Sequence, residues 1–276
     1  MLKFRVLLLQ TLFLFSITGG LKHATATENL TIYFYNPEIN ITRNAVLKNI
    51  FDLYLEKQGS YQFQPVDNKV TFETLIKTKP SAIFMMSNWH YIQLKKTQIL
   101  HASSLVLRGI KNGKDTYHKI LVGKGPKLDL SVMSLATSGN EEYSRSILND
   151  IYSKQSIDQF SSLNILAVPK DIDALMAVGF GLADAALTTK SSLDKLSILH
   201  QQQNQPLHIL GESHPLKRLA VVFKQIPKIE HHQIQTILKH MAKSKKGKRG
   251  LNMLGLDDWQ LVDQQLTKNK GQSNDY

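Results

Sequence analysis

The stretch Leu30-Thr31-Ile32-Tyr33-Phe34-Tyr35-Asn36-Pro37 decides the fold. Leu30, Ile32 and Phe34 alternate with Thr31, Tyr33 and Tyr35, the period of a half-buried strand, and Asn36-Pro37 ends it. Leu47, Ile50, Phe51 and Tyr54 then recur at helical spacing until Gly59 stops the helix. A second strand over 61–64, a short helix marked by Phe72, Leu75 and Ile76, and a buried strand over 81–86 complete a β-α-β-α-β order. Parallel strands need crossover connections, so this order predicts a parallel sheet covered by helices.

Further along, the pattern breaks and then resumes. Short strands at 105–107 and 120–122 are separated by Gly109, Gly113 and a polar stretch. From Ser138 the reading is a helix to about 154, a strand at 165–168, a helix over 172–181 and a strand at 183–187. One more strand falls at 219–223. Two closing helices follow, one with Ile234, Ile237, Leu238 and Met241 on a single face, the other over about 257–266. The Gln-rich run 201–205 reads as a loop, and no internal repeat stands out. Two α/β segments of this kind predict two lobes with a hinge and a cleft between them, where ligands usually sit. The expected division is 27–108 plus 226–268 for the first lobe, 109–225 for the second, and 269–276 as a flexible tail.

The chain has 276 residues, with 34 Lys and Arg against 22 Asp and Glu, and 42% hydrophobic residues, an ordinary globular mix. It has no cysteine, which excludes disulfide scaffolds, thiolate metal sites, iron–sulfur clusters, thiol nucleophiles and a cysteine-linked lipid anchor. Lys3 and Arg5 precede a mostly apolar run over 6–17; Gly19-Gly20 and the small–x–small pattern Ala24-Thr25-Ala26 follow. This is the form of a cleaved secretory signal over 1–26, too short to span a bilayer. Its removal takes away three basic residues and no acidic one, leaving 250 residues at net charge +9. The expected compartment is the periplasm.

Several constellations carry possible chemistry. Ala136-Thr137-Ser138-Gly139 runs into the acidic start of a helix; Thr and Ser there either cap the helix or, with the free backbone N–H groups, bind an anion. Glu141 and Glu142 suit the helix dipole but place two negative charges beside that loop, which disfavours a dianion and suits a zwitterion, a neutral molecule or a cation. Asp184, at the mouth of a buried strand, is either a ligand-binding group or a cap for the neighbouring turn, whereas Asp171 and Asp173 read as helix caps. Ser87-Asn88-Trp89-His90-Tyr91 follows a buried strand, and Tyr35-Asn36 follows the first strand. In open α/β sheets that edge faces the ligand, so Tyr35, Asn88 and Tyr91 outline one wall of the cleft.

The ten histidines show no metal-ligand spacing, and no metal or cofactor is expected. No nucleophile elbow or phosphate-binding loop occurs, so an enzyme is not expected either. The basic cluster Lys239, Lys243, Lys245, Lys246, Lys248 and Arg249 lacks the stacking aromatics of a nucleic-acid site; it reads as a solvated face, with anionic lipid or a docking partner as the alternatives.

These motifs, in this order, resemble the phosphate/phosphonate-type periplasmic binding proteins of ABC importers. Gly113-Lys114-Asp115-Thr116-Tyr117 is similar to that family's Gly-x-x-x-Tyr lead into its second lobe, and Ala136-Thr137-Ser138-Gly139 to its Ser-Thr-Ser-Gly anion loop. Asp173-Ala174-Leu175 through Ala183-Asp184-Ala185-Ala186 resembles its helix-then-Asp-Ala segment. The run from Gly250 to Leu256 resembles its closing Gly-x-x-x-Leu-x-x-Leu-Gly-Ile. The resemblance implies a two-lobed type II binding-protein fold and a monomer that captures a small polar solute and passes it to an inner-membrane ABC permease. A periplasmic signalling or interaction protein reusing the fold, with a sensor domain as partner, is the alternative. Thr137, Ser138 and Gly139 would bind the solute's acceptor atoms, and Asp184 an amine or donor, opposite Tyr35, Asn88 and Tyr91. Ala136 stands where the family has its first Ser, and Ile172 where it often has a His. Simple phosphonates are therefore expected to bind weakly.

Overall fold

Strand β1 (Leu30–Tyr35) is buried on both faces rather than one from Ile32 onward. Ile32 and Phe34 pack with Leu47, Phe51 and Phe63, while Tyr33 and Tyr35 pack with Phe72 and Phe84 in a second core on the other side. A parallel sheet with helices on both faces produces this double burial. The computed structural model describes residues 30–39, 44–100, 103–129, 133–152, 163–199 and 207–262. The expected signal sequence, the 201–205 loop and the 269–276 tail lie outside them.

After β1 come α1 (Asn44–Leu55), β2 (Tyr61–Pro65), α2 (Lys69–Thr78), β3 (Ala82–Met86), α3 (Asn88–Lys96) and β4 (Ser103–Ile110). The chain then crosses through β5 (Thr116–Tyr117) into β6 (Lys119–Gly123), β7 (Ser134–Thr137), α4 (Glu141–Tyr152), β8 (Asn164–Ala167), α5 (Asp171–Gly179), β9 (Ala185–Thr189), α6 (Lys190–Leu199) and β10 (His208–Glu212). It returns through β11 (Leu216–Lys217) to β12 (Ala220–Lys224), α7 (Lys228–His240), α8 (Lys245–Met253) and β13 (Asp258–Leu261). The strands form a six-stranded sheet in the order β13-β4-β12-β3-β1-β2 and a five-stranded one in the order β10-β6-β9-β7-β8. The ribbon β5–β11 joins them.

Two sequence expectations are corrected. Strand β12 pairs antiparallel with both β3 and β4, so the return crossing falls before Ala220 rather than at 225. Its run Ala220-Val221-Val222-Phe223 is buried throughout because a central strand feeds both cores. The last closing helix is a strand instead. Gly255 (φ +71°) turns the chain after α8, and β13 pairs with β4 with Trp259 fully buried. Leu256 lies over Gly109, where a Cβ would meet its methyl carbons at 2.8 Å. Ser87–Tyr91 follows β3 at its carboxyl end as expected and opens helix α3, with Ser87 Oγ capping the His90 N–H at 3.1 Å. Strand β10 and helix α6 carry no signal strong enough to read from sequence.

Candidate ligand-binding site

Ligand edges of such sheets lie at the carboxyl ends of the parallel strands. In the second lobe, β7 and β9 are parallel, so that edge carries Thr137, Ser138 and Gly139, and α5 begins there with Asp171. Strand β6 runs antiparallel to β9 with Lys119 opposite Thr189, which brings the first residue of β6 to the same edge. In the first lobe, β1 and β3 are parallel and present Tyr35, Glu38 and Ser87.

These groups meet. Ser138 Oγ donates to Asp171 Oδ1 (2.6 Å) and lies 3.3 Å from the Glu38 carbonyl. Lys119 Nζ, on a side chain only 4% exposed, pairs with the same Asp171 oxygen at 2.8 Å. The Glu38 carboxylate accepts from Tyr117 OH at 2.5 Å and from the Ser87 side chain. Tyr117 OH in turn lies 3.1 Å from Tyr143 OH. Burial pushes the Glu38 carboxyl up to about 7, against the lowering effect of Tyr117, Lys119 and Ser87. Burial also holds the Tyr117 and Tyr143 hydroxyls well above their ordinary range, so both stay protonated donors.

The lobes touch across this cluster. Asn140 N–H donates to the Pro37 carbonyl (2.8 Å), Lys69 pairs with Glu142 (2.7 Å), and Trp89 Nε1 donates to Ser146 Oγ (3.0 Å). The Trp89 ring meets the Tyr143 ring edge-on at 5.8 Å. Asn140 also caps α4 by accepting from Tyr143 N–H at 2.9 Å. Gly139 permits this packing, since a Cβ there would stand 2.6 Å from Tyr143 Cδ1. This is a closed arrangement. Surface depressions of about 350 Å³ beside Ile99 and Lys224, and about 170 Å³ beside Leu251 and Asp257, lie elsewhere.

The structure brings together Tyr35, Ser138 and Gly139 from the sequence-expected set. Tyr35 is buried against Phe72 and His90, with its hydroxyl bonded to the Asn140 side chain. Thr137 is buried just beneath the loop and holds it, through Ser144 Oγ (3.1 Å) and Gly139 N–H (3.2 Å). Asn88 faces Arg108, whose guanidinium it accepts from and which also donates to the Arg218 carbonyl. Tyr91 packs on the first lobe with Lys95 5.9 Å from its ring. These two residues brace the first lobe beside the hinge.

Asp184 is not in the cluster. It precedes β9, and its carboxylate accepts from Ser134 N–H (2.8 Å) and Ser134 Oγ (2.6 Å) at the amino end of β7. That is the opposite edge of the sheet, about 13 Å of strand from Ser138. The cap reading of Asp184 is the one the geometry fits. Conversely, Asp171, read as a plain cap, stands beside Ser138. Glu38, Lys119, Tyr117 and Tyr143 complete the cluster and were not singled out as ligand groups by sequence. Only Tyr117 had a motif to flag it.

Among the described residues no group of three or more His, Asp and Glu converges as a metal site would, and no helix is long and apolar enough to cross a membrane.

Residues 47–266 match the family described as ABC transporter, phosphonate, periplasmic substrate-binding protein. A comparison with curated proteins gives no match. Among solved structures, PhnD1 from Prochlorococcus marinus in complex with methylphosphonate is 15% identical, with a TM-score of 0.62 over 88% of this chain and 95% of that one. A binding-protein component of an ABC phosphonate transporter from Pseudomonas aeruginosa is 13% identical, with a TM-score of 0.60 over 86% and 82%. A Xanthomonas citri protein solved bound to ATP is 12% identical, with a TM-score of 0.58 over 88% and 94%. Such identities speak for the fold alone, which is the two-lobed α/β fold of periplasmic binding proteins. With the family match spanning most of its length and the lobes meeting at the strand ends, this chain belongs to the phosphonate-type periplasmic substrate-binding proteins of ABC transporters.

Proposed function

We propose that this protein is exported to the periplasm, closes its lobes as a monomer around a small polar solute that is neutral or carries a positive charge, and releases it unchanged to a membrane permease. The observation that carries this reading is the commitment of the anion-type loop to acceptors of the chain itself: Ser138 Oγ donates to the Asp171 carboxylate and lies 3.3 Å from the Glu38 backbone carbonyl. A charge–charge contact at 4 Å contributes about 4 kcal/mol near a protein surface, whereas a hydrogen bond to a charged group contributes about 1.5–3 kcal/mol. With Lys119 paired to Asp171 and the Ser138 hydroxyl donating to the same carboxylate, the cleft offers a phosphonate dianion no uncommitted cation, and Glu38 adds a negative charge once pH rises above about 7. An ammonium or a neutral hydroxyl group would find acceptors there. Ser138, the Gly139 N–H, Tyr35, Glu38, Asp171, Lys119, Tyr117 and Tyr143 are the proposed contact groups, while Thr137, Asn88 and Tyr91 support them.

A thermal-shift screen of the mature protein against phosphate, alkylphosphonates, aminophosphonates, polyamines and apolar metabolites tests the reading. A ligand at a hundred times its dissociation constant stabilises by about 2.7 kcal/mol. Stabilisation by an amine-bearing compound, with calorimetric affinity reduced in Ser138→Ala, supports it. Strong stabilisation by a plain alkylphosphonate overturns the charge argument. Silence across the panel favours a signalling or interaction role for the same fold.

A further inference from the structure

Helix α8 begins Lys245-Lys246-Gly247-Lys248-Arg249 and has no acid in its first turn. Cations at a helix amino end oppose the macrodipole, so this placement costs stability. Packing holds the helix in spite of that and of its two glycines. A Cβ on Gly247 would stand 2.4 Å from the Met241 carbonyl oxygen, and one on Gly250 3.2 Å from Phe51 Cε2, so the glycine face lies flat on the turn before it and on α1. The opposite face sends Lys245, Lys246, Lys248 and Arg249 into solvent, with Lys243 beside them. Among the described residues none of these five forms an ion pair. Asp257, near Lys248, is engaged by Lys111 (2.6 Å) and the Asn112 N–H (2.8 Å).

Next to this patch lies an apolar one. Lys246 Nζ reaches the Leu53 carbonyl of α1 at 3.3 Å, and Leu53 is 40% exposed. Val46, two turns earlier on the same helix, is 52% exposed. Unpaired, long cationic side chains beside exposed aliphatic ones suit an anionic interface in which the acceptors are mobile and the first layer is apolar. A nucleic acid would want stacking rings, and the exposed large apolar side chains beside the patch are aliphatic.

We infer that the α1–α8 face docks on a bilayer surface rich in anionic phospholipid, holding the binding protein close to the membrane. The test is co-sedimentation of the mature chain with vesicles containing phosphatidylglycerol, against vesicles of phosphatidylcholine alone. Binding to the anionic vesicles is expected at about 50 mM salt, where the Debye length exceeds 10 Å, and release at 1 M. Each basic residue near such a surface contributes about fivefold, so the triple variant Lys245→Glu, Lys246→Glu, Arg249→Glu should lose partitioning on the order of a hundredfold. Leu53→Asp should lose less. A charge-matched control on the second lobe, Lys124→Glu, Lys127→Glu, Lys195→Glu, should bind as the unaltered chain does. All these side chains are exposed, and matching melting curves show that the variants fold. Absence of binding to anionic vesicles, equal binding to neutral ones, or an equal loss in the control triple overturns the inference; the last would leave only the net charge of the chain. None of these results depends on which solute the cleft takes.

Discussion

Strand β7 carries a serine–aspartate pair at each end, and the two pairs share their chemistry but not their surroundings. At the amino end Ser134 Oγ donates to Asp184, and at the carboxyl end Ser138 Oγ donates to Asp171, both at 2.6 Å. The Asp184 pair lies at the surface, and its bonds from Ser134 hold the carboxyl below the ordinary range. The Asp171 pair is covered by the first lobe, holds the buried Lys119 and touches Glu38. A hydrogen-bonded acid is thus a strand cap at one edge and part of the contact between the lobes at the other. The edge, not the pair, makes the difference.

The largest break of that symmetry should come from Asp171→Ala. Lys119 Nζ, on a side chain only 4% exposed, would lose its one ion-pair partner among the described residues. Leaving a buried charge uncompensated costs about 3–5 kcal/mol. Urea denaturation should show a loss in that range, and double substitution with Lys119→Met should recover much of it. If Asp171→Ala costs no more than Asp184→Ala, the two ends of β7 are equivalent and the cleft assignment fails. Gly139→Ala comes next. Its Cβ would stand 2.6 Å from Tyr143 Cδ1 and force that ring away from Tyr117, a strain of about 1–3 kcal/mol, with solute affinity lowered in calorimetry.

The sequence makes the two-lobed plan legible because its evidence is repeated: strand and helix periods alternate through 30–86 and again through 138–187. It makes the anion-type loop legible because Thr, Ser and Gly before an acidic helix start have a local meaning. The sequence leaves Asp184 open between ligand group and cap and reads Asp171 as a cap, because both stand where a helix and a strand alternate and only strand direction tells which edge each one occupies. Lys119 needed more still. It reaches the cleft because β6 runs against β9, a fact of mixed-sheet topology that no local pattern carries. Glu38 has no motif at all. It becomes a cleft residue only when Tyr117, Ser87 and the 138–140 loop arrive from distant parts of the chain. The window around Trp259 failed for a different reason: one large buried residue in a short run fits a helix or a strand until its partner β4 is known.

A smaller effect sharpens the same comparison through pH. In this arrangement burial pushes the Glu38 carboxyl up to about 7, and a parting of the lobes that exposed it to water would return it toward the ordinary 4.5. A raised value means that closing takes up a proton. The closed form is therefore favoured in full below about 4.5, and that advantage is lost as pH rises through about 7. Tyr117, Tyr143, Lys119 and Asp171 face the same carboxyl, and none of the tyrosines changes charge in this window. Trp89 reports on closure through its bond to Ser146, whereas the chain's other tryptophan, Trp259, is fully buried. Trp89 fluorescence should shift between pH 8 and pH 5 in the unaltered chain and stay flat in Glu38→Gln. A shift that survives in Glu38→Gln assigns the titration to another group.

The smallest expected effect is at Asp184, and its smallness is the point. Asp184→Ala removes two hydrogen bonds from Ser134 at an exposed edge, each contributing about 1 kcal/mol or less once water replaces it. The acid's depressed titration gives the loss a direction. Its stabilisation is present above the ordinary carboxyl value of 3.8 and disappears as pH falls through the lowered one. Asp184→Ala and the unaltered chain should therefore differ in urea midpoint at neutral pH and converge in acid. Solute affinity should be the same in both, because Asp184 stands at the edge of the sheet away from Ser138, Asp171 and Glu38. A loss of affinity in Asp184→Ala comparable to that in Ser138→Ala would place the ligand at the amino end of β7. The contrast between the two serine–aspartate pairs would then have to be read the other way round.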